Sequence, residues 1–150
     1  MILKKTVNDF IKLKNIAIVG VSRKKEKFGN VVYNELKQKG YNVFAVNPIL
    51  REFGGDKCYN NLEELKGKIE AIVIVIRGIE TEKIVEKAHQ IGIKYIWMQH
   101  GSQSTKAIDF CNANGISVIY NECILMFAEP VKSIHRFHKW LWKIFGKLPK

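Results

Sequence analysis

The chain has 150 residues and a formal net charge of +11, from 25 lysines and arginines against 14 acidic residues. It is 47% apolar with three prolines and no low-complexity run, which excludes a disordered tail or a fibrous protein. A single domain of this size hides roughly 69% of its unfolded surface, so a core needs neither disulfides nor metals.

The charge speaks for an anionic ligand, nucleic acid or anionic lipid, and says nothing about fold. No apolar run approaches the ~18 residues of a membrane span, and the chain's start turns polar too soon for a signal peptide. Cys58, Cys111 and Cys123 stand far apart with no Cys-x-x-Cys, as expected of a reduced, cytoplasmic protein.

In chain order, residues 6–10 are expected as a short helix, with Thr6 as cap and Asp9 three positions on. The apolar run 16–19 predicts a first strand buried on both faces, ending at Gly20. A helix follows over about 29–39, stopped by Gly40. Residues 41–46 make the second strand, closed by Asn47-Pro48. A short helix is expected at 61–65, capped by Asn60 or Asn61. The third strand is 71–76, followed by a helix over 79–90 with Ile79, Ile84, Val85 and Ala88 apolar. The fourth strand is 95–98, the next helix 105–113, and the fifth strand 116–120. Strands alternating with helices of about ten residues predict an α/β, three-layer, Rossmann-like fold with a five-stranded, mostly parallel sheet. This domain spans 1–123 including the N-terminal helix, with 124–150 as a helical extension.

Ligands of such sheets bind at the carboxyl ends of the strands, where strand order reverses. After the first strand come Gly20, Val21, Ser22, Arg23, Lys24, Lys25 and Lys27, then Gly29 at the next helix. Gly20 permits a tight turn or close backbone approach. Amides at the helix start, the Ser22 hydroxyl and the lysines suit phosphate. The Gly-x-Gly-x-x-Gly fingerprint is absent, and Val46-Asn47-Pro48 puts no carboxylate where NAD needs one for its ribose. A ligand with an additional phosphate, NADP or coenzyme A, fits better. The absent Gly-x-x-x-x-Gly-Lys-Ser/Thr signature counts against nucleotide hydrolysis.

The pattern Ile16-Ala-Ile-Val-Gly20-Val-Ser22, with Gly29, Gly40-Tyr41-x-Val43, Val46-Asn47-Pro48, Trp97-x-Gln99-x-Gly101 and Cys123, resembles the small bacterial and archaeal CoA-binding domain proteins. That family is similar to the CoA-binding domain of succinyl-CoA synthetase alpha subunits. The resemblance covers about residues 13–123 and implies CoA with its phosphates at the first loop and its adenosine across the sheet crevice. It implies that Gly20, Ser22 and Arg23 contact phosphates, with Val21 and Gly29 completing the loop and Lys24, Lys25 or Lys27 reaching the ribose 3′-phosphate. Asn47 and Pro48 then shape the nucleotide pocket, Ile76 and Arg77 line it from the other side, and Gln99 and Gly101 complete the site. A basic residue often follows the Asn-Pro pair in the synthetase-like domains; here Ile49-Leu50 intervene and Arg51 is the candidate.

Catalytic groups are not evident. His100 stands at a strand end without an acid in sequence to orient it, and Cys123 reads as a small buried hydrophobe. His135 and His138 share a helical face but have no third metal ligand one turn away. Non-catalytic binding of CoA or acyl-CoA follows, as a carrier, sensor or regulator. The alternatives are an NADP-dependent oxidoreductase domain and a docking module acting through the extension.

Residues 124–150 hold six basic residues and one acid. Pro130 suits the first turn of a helix and Gly146 its end. Val131, Ile134, Phe137, Leu141, Ile144 and Phe145 form an apolar stripe, and Lys132, Arg136, Lys139, Lys143 and Lys147 a basic face. Such a basic amphipathic helix suits a cap on the domain, a homo-oligomer contact or an anionic membrane surface. No recognised nucleic-acid module accompanies its aromatics, which counts against nucleic acid.

Overall fold

The computed structural model describes residues 4–128. The two most continuously apolar runs become the centre of the sheet. β1 (Asn15–Val19) and β5 (Ala71–Ile74) lie side by side in parallel, almost wholly buried on both faces. β2 (Asn42–Val46) pairs with the other edge of β1, and β6 (Tyr95–Gln99) with β5. β7 (Ser117–Glu122) closes that side, parallel to β6. The helices are α1 (Lys4–Ile11), α2 (Phe28–Gln38), α3 (Gly78–Gln90) and α4 (Thr105–Ala113). The basic amphipathic helix expected beyond residue 129 lies outside the described residues.

The sheet has seven strands rather than five, in the order β3-β4-β2-β1-β5-β6-β7. The two additional strands are β3 (Glu52–Phe53) and β4 (Asp56–Tyr59), an antiparallel hairpin turning on Gly54 and Gly55. Both glycines have positive φ, 58° and 83°, as a two-residue hairpin turn requires. Glu52, Asp56 and Lys57 are poor strand formers, so local propensity gives little sign of this hairpin. Pairing holds it: β4 runs parallel to β2, with Ala45 opposite Cys58 and Val46 opposite Tyr59.

Three smaller expectations are corrected. α1 starts at Lys4, which places Thr6 inside the helix, and Asp9 pairs with Lys5 at 2.7 Å instead of closing a capping box. The helix expected at 61–65 is one 3-10 turn, Glu63–Leu65, with the Asn61 side-chain oxygen accepting from the Glu64 amide at 3.1 Å. Ile79 is exposed rather than on the apolar face of α3. That helix buries Thr81, Val85 and Ala88, and Ile79 lies two residues, about 200°, away from that face.

Two cores sandwich the sheet and complete the three layers. On one face α1 and α2 pack with Ile124, Leu125 and Ala128 around Trp97, which is fully buried. Phe10 meets the Trp97 ring edge-on at 5.3 Å, and the indole N–H donates to the Glu122 carbonyl at 3.0 Å. On the opposite face α3, α4 and the turn at Leu62 and Leu65 cover Ile72, Ile74, Ile96 and Met98.

Candidate functional site

The chain leaves β1 towards β2 on one side and returns to β5 on the other, so strand order reverses between β1 and β5. Loops diverge at such a point and leave a crevice at the carboxyl ends. A cleft of about 780 Å³ lies there. Its floor comes from Val19, Gly20 and Val21 after β1, Val46 to Pro48 after β2, and Val75 to Arg77 after β5. One wall is the turn from Asn60 to Glu63; another is the face of α3 carrying Glu80, Lys83, Ile84 and Lys87.

Two glycines shape the first loop. Gly20 has φ 126°, and a Cβ there would come within 3.0 Å of the Val75 carbonyl oxygen. Gly29, in the first turn of α2, lies against the Gly20 carbonyl, where a Cβ would also be closer than 3.0 Å. The start of α2 therefore sits directly against the end of β1, with no side-chain cap on its N-terminus. Asn30, 7% exposed, clamps the loop: its oxygen accepts from the Ser22 amide at 2.8 Å and its nitrogen donates to the carbonyls of Ser22 at 2.8 Å and Lys24 at 3.0 Å. The Ser22 hydroxyl oxygen accepts from the Lys24 amide at 3.2 Å, which leaves its own proton for a ligand.

The loop after β2 is equally tied. Asn47 donates to the Val21 carbonyl at 2.8 Å, while its oxygen accepts from the amides of Ile49 at 2.8 Å and Leu50 at 3.1 Å. Asn60 then donates to the carbonyls of Asn47 and Leu50, at 3.1 and 3.0 Å. The floor loops are thus held by buried Asn30, half-buried Asn47 and exposed Asn60, and Pro48 is exposed in the lining.

Four cations and two carboxylates line the cleft. Lys87 pairs with Glu63 at 2.9 Å, and that partner holds the Glu63 carboxyl below its ordinary range. Lys27, Arg77 and Lys83 make no side-chain ion pair or hydrogen bond among the described residues. The cleft therefore presents unbalanced positive charge beside an apolar floor, a combination suited to an anionic ligand with an apolar body. Among the described residues its lining holds neither histidine nor cysteine, and Ser22 is its one hydroxyl. All three thiols are shifted upwards by burial, Cys111 to about 12, so none is primed as a nucleophile.

Of the residues singled out from sequence, Gly20, Val21, Ser22, Lys27, Asn47, Pro48, Ile76 and Arg77 line this one cleft. Gly29 stands behind it as a packing contact. Arg23, Lys24 and Arg51 are exposed and outside the lining. Gln99 is buried at the end of β6, donating to Cys123 Sγ at 3.4 Å and accepting from the Ile124 amide at 2.8 Å. Gly101, with φ 90°, turns the loop that follows and stands outside the lining, as does exposed His100. The sequence offers Asn60 only as a helix cap and Ile84 only as an apolar helix position, and gives no role to Asn30 or to the charged face of α3. The spacing of Glu80, Lys83, Ile84 and Lys87 at three, four and seven residues carried a usable signal for one helical face.

A doubly wound α/β domain with a cationic cleft at its switch point is a nucleotide-binding architecture. Residues 14–129 match the family model described as a CoA binding domain, and the chain belongs to that family. Its CoA-binding module is related to that of ADP-forming acetate–CoA ligases. The Methanocaldococcus jannaschii acetate–CoA ligase is 31% identical over 81 residues, 54% of this chain but 12% of the ligase. The uncharacterised Bacillus subtilis protein YneT is 27% identical over 111 residues, 74% of this chain and 82% of its own length. A hypothetical protein from Pyrococcus horikoshii superposes with a TM-score of 0.79 at 30% identity, over 85% of this chain and 90% of that one.

Proposed function

We propose that the protein binds coenzyme A or an acyl-CoA in this cleft and performs no chemistry on it there, as a carrier, sensor or regulator in the cytoplasm. The carrying observation is the unbalanced charge of Lys27, Arg77 and Lys83 around the floor built by Gly20, Ser22 and Asn47-Pro48. A diphosphate takes the Ser22 hydroxyl and Lys27 beside the start of α2, where the helix dipole favours an anion. The adenosine lies on the apolar floor between Pro48 and Ile76. A binding role is supported by the described lining, which offers no histidine, no cysteine and no base hydrogen-bonded to Ser22. The matched segment is 12% of the Methanocaldococcus jannaschii ligase, most of which has no counterpart in it.

Calorimetric titration with CoA and, in parallel, NADPH tests the reading. CoA is expected to bind at micromolar concentration or tighter, with NADPH at least tenfold weaker. Tighter binding of NADPH, or no heat from CoA in folded protein freed of ligand, contradicts it.

A further inference from the structure

We propose that Lys83 and Lys87 of α3 form a subsite for a phosphomonoester, the ribose 3′-phosphate of CoA, with Glu63 as the carboxylate that the phosphate displaces. The inference rests on the CoA-binding reading and adds to it the group that recognises the third phosphate.

Residues four apart on a helix lie on one face, so Lys83 and Lys87 stand side by side, and both line the cleft. Two adjacent ammonium groups repel weakly, and negative charge between or beside them relieves that repulsion. Glu63, on the opposite wall, supplies one carboxylate and takes Lys87 at 2.9 Å. Lys83 makes no side-chain ion pair among the described residues; Glu80, three residues before it on the same face, is the other carboxylate of the described lining. A phosphomonoester carries close to two negative charges near neutral pH and can take both lysines at once.

Of the other candidates for this role, Arg77 stands on the floor of the cleft at the cap position of α3, and the rest lie elsewhere. Arg23, Lys24 and Lys25 are exposed on the outer side of the first loop and absent from the lining. Arg51 is carried off by the loop itself. Asn47 and Asn60 fold residues 47–50 into a closed turn, and the Arg51 carbonyl accepts from the Cys58 amide at 2.8 Å to start the β3–β4 hairpin. Lys27 stands at the start of α2, the end assigned to the diphosphate.

The discriminating quantity is the ratio of CoA to dephospho-CoA affinity, which isolates the 3′-phosphate from the rest of the ligand. In the full chain the ratio is expected to exceed ten. Lys83→Gln should lower it about fivefold to tenfold through weaker CoA binding, with dephospho-CoA changed less than twofold. Glu63→Gln should raise it, because the competing carboxylate is gone. Arg51→Gln should leave it unchanged. An unchanged ratio in Lys83→Gln, an equal loss for both ligands, or a collapse in Arg51→Gln overturns the subsite while leaving CoA binding intact. Equal affinity of the unaltered chain for the two ligands does the same. Failure of the unaltered chain to bind either ligand overturns the CoA reading and the subsite with it. Lys83 is exposed, so folding of the variant is not at risk, and circular dichroism verifies it.

Discussion

Replacing Gly29 by alanine is expected to lower the unfolding free energy by about 2–4 kcal/mol and to weaken CoA binding at least tenfold. Two effects oppose each other. Alanine is the better helix former by about 1 kcal/mol, and Gly29 lies inside α2, so propensity alone predicts a gain. The added methyl, however, would sit closer than 3.0 Å to the Gly20 carbonyl oxygen. That oxygen belongs to a backbone held by the Gly20 amide donating to Val46 at 3.3 Å and by the contact with Val75. It has no flexible side chain to yield, so α2 must move away from the end of β1, and with it Asn30 and the loop it clamps. Steric exclusion wins. Thermal unfolding and CoA titration of Gly29→Ala measure the two consequences. A variant more stable than the parent, with unchanged affinity, would show that the helix start does not abut the strand end as described.

The second large effect concerns pH. Glu122 is 6% exposed at the end of β7, and one carboxyl oxygen has no hydrogen-bond partner among the described residues. Burial pushes its pKa from an ordinary 4.5 up to about 7. The folded protein then keeps a proton that the unfolded chain releases, and each additional pH unit in that interval favours unfolding. The stabilising contribution is complete below 4.5 and is lost as pH rises through about 7. Glu122→Gln removes the ionisation while keeping the shape. Its denaturation free energy should match that of the parent near pH 5 and exceed it by about 1–3 kcal/mol at pH 8. Parallel stability curves across this range would show that the carboxyl is solvated.

The central strands were legible because residues buried on both faces must be apolar, and β1 and β5 are nearly unbroken apolar runs. The β3–β4 hairpin was not: Gly54-Gly55 is a turn signal, but Glu52, Asp56 and Lys57 are poor strand formers, and β4 is held by pairing with β2, 13 residues earlier in the chain. The bend in β7 is similar. Asn121 adopts φ 61° and forms a bulge against β6, which leaves Asn121 exposed and turns Glu122 inward. In the site, Gly20, Ser22 and Asn47-Pro48 announce themselves as small and polar residues at strand ends. Asn30 and Asn60 act through hydrogen bonds to loops 8 and 13 residues away, so their identity as polar helix or turn residues conceals the role. Arg51 looked well placed by distance along the chain, but the closed turn after Asn47 sends it to the hairpin instead.

The central claim is that CoA occupies the cleft between the ends of β1, β2 and β5 and the face of α3. Amide chemical-shift mapping during a CoA titration tests it most directly. The account predicts perturbations concentrated at Gly20 to Lys27, Val46 and Asn47, Asn60 to Glu63 and Ile76 to Lys87, with the strand end at Gln99 to Gly101 much less affected. Saturable shifts centred on the ends of β6 and β7, or anywhere outside the cleft, would contradict it.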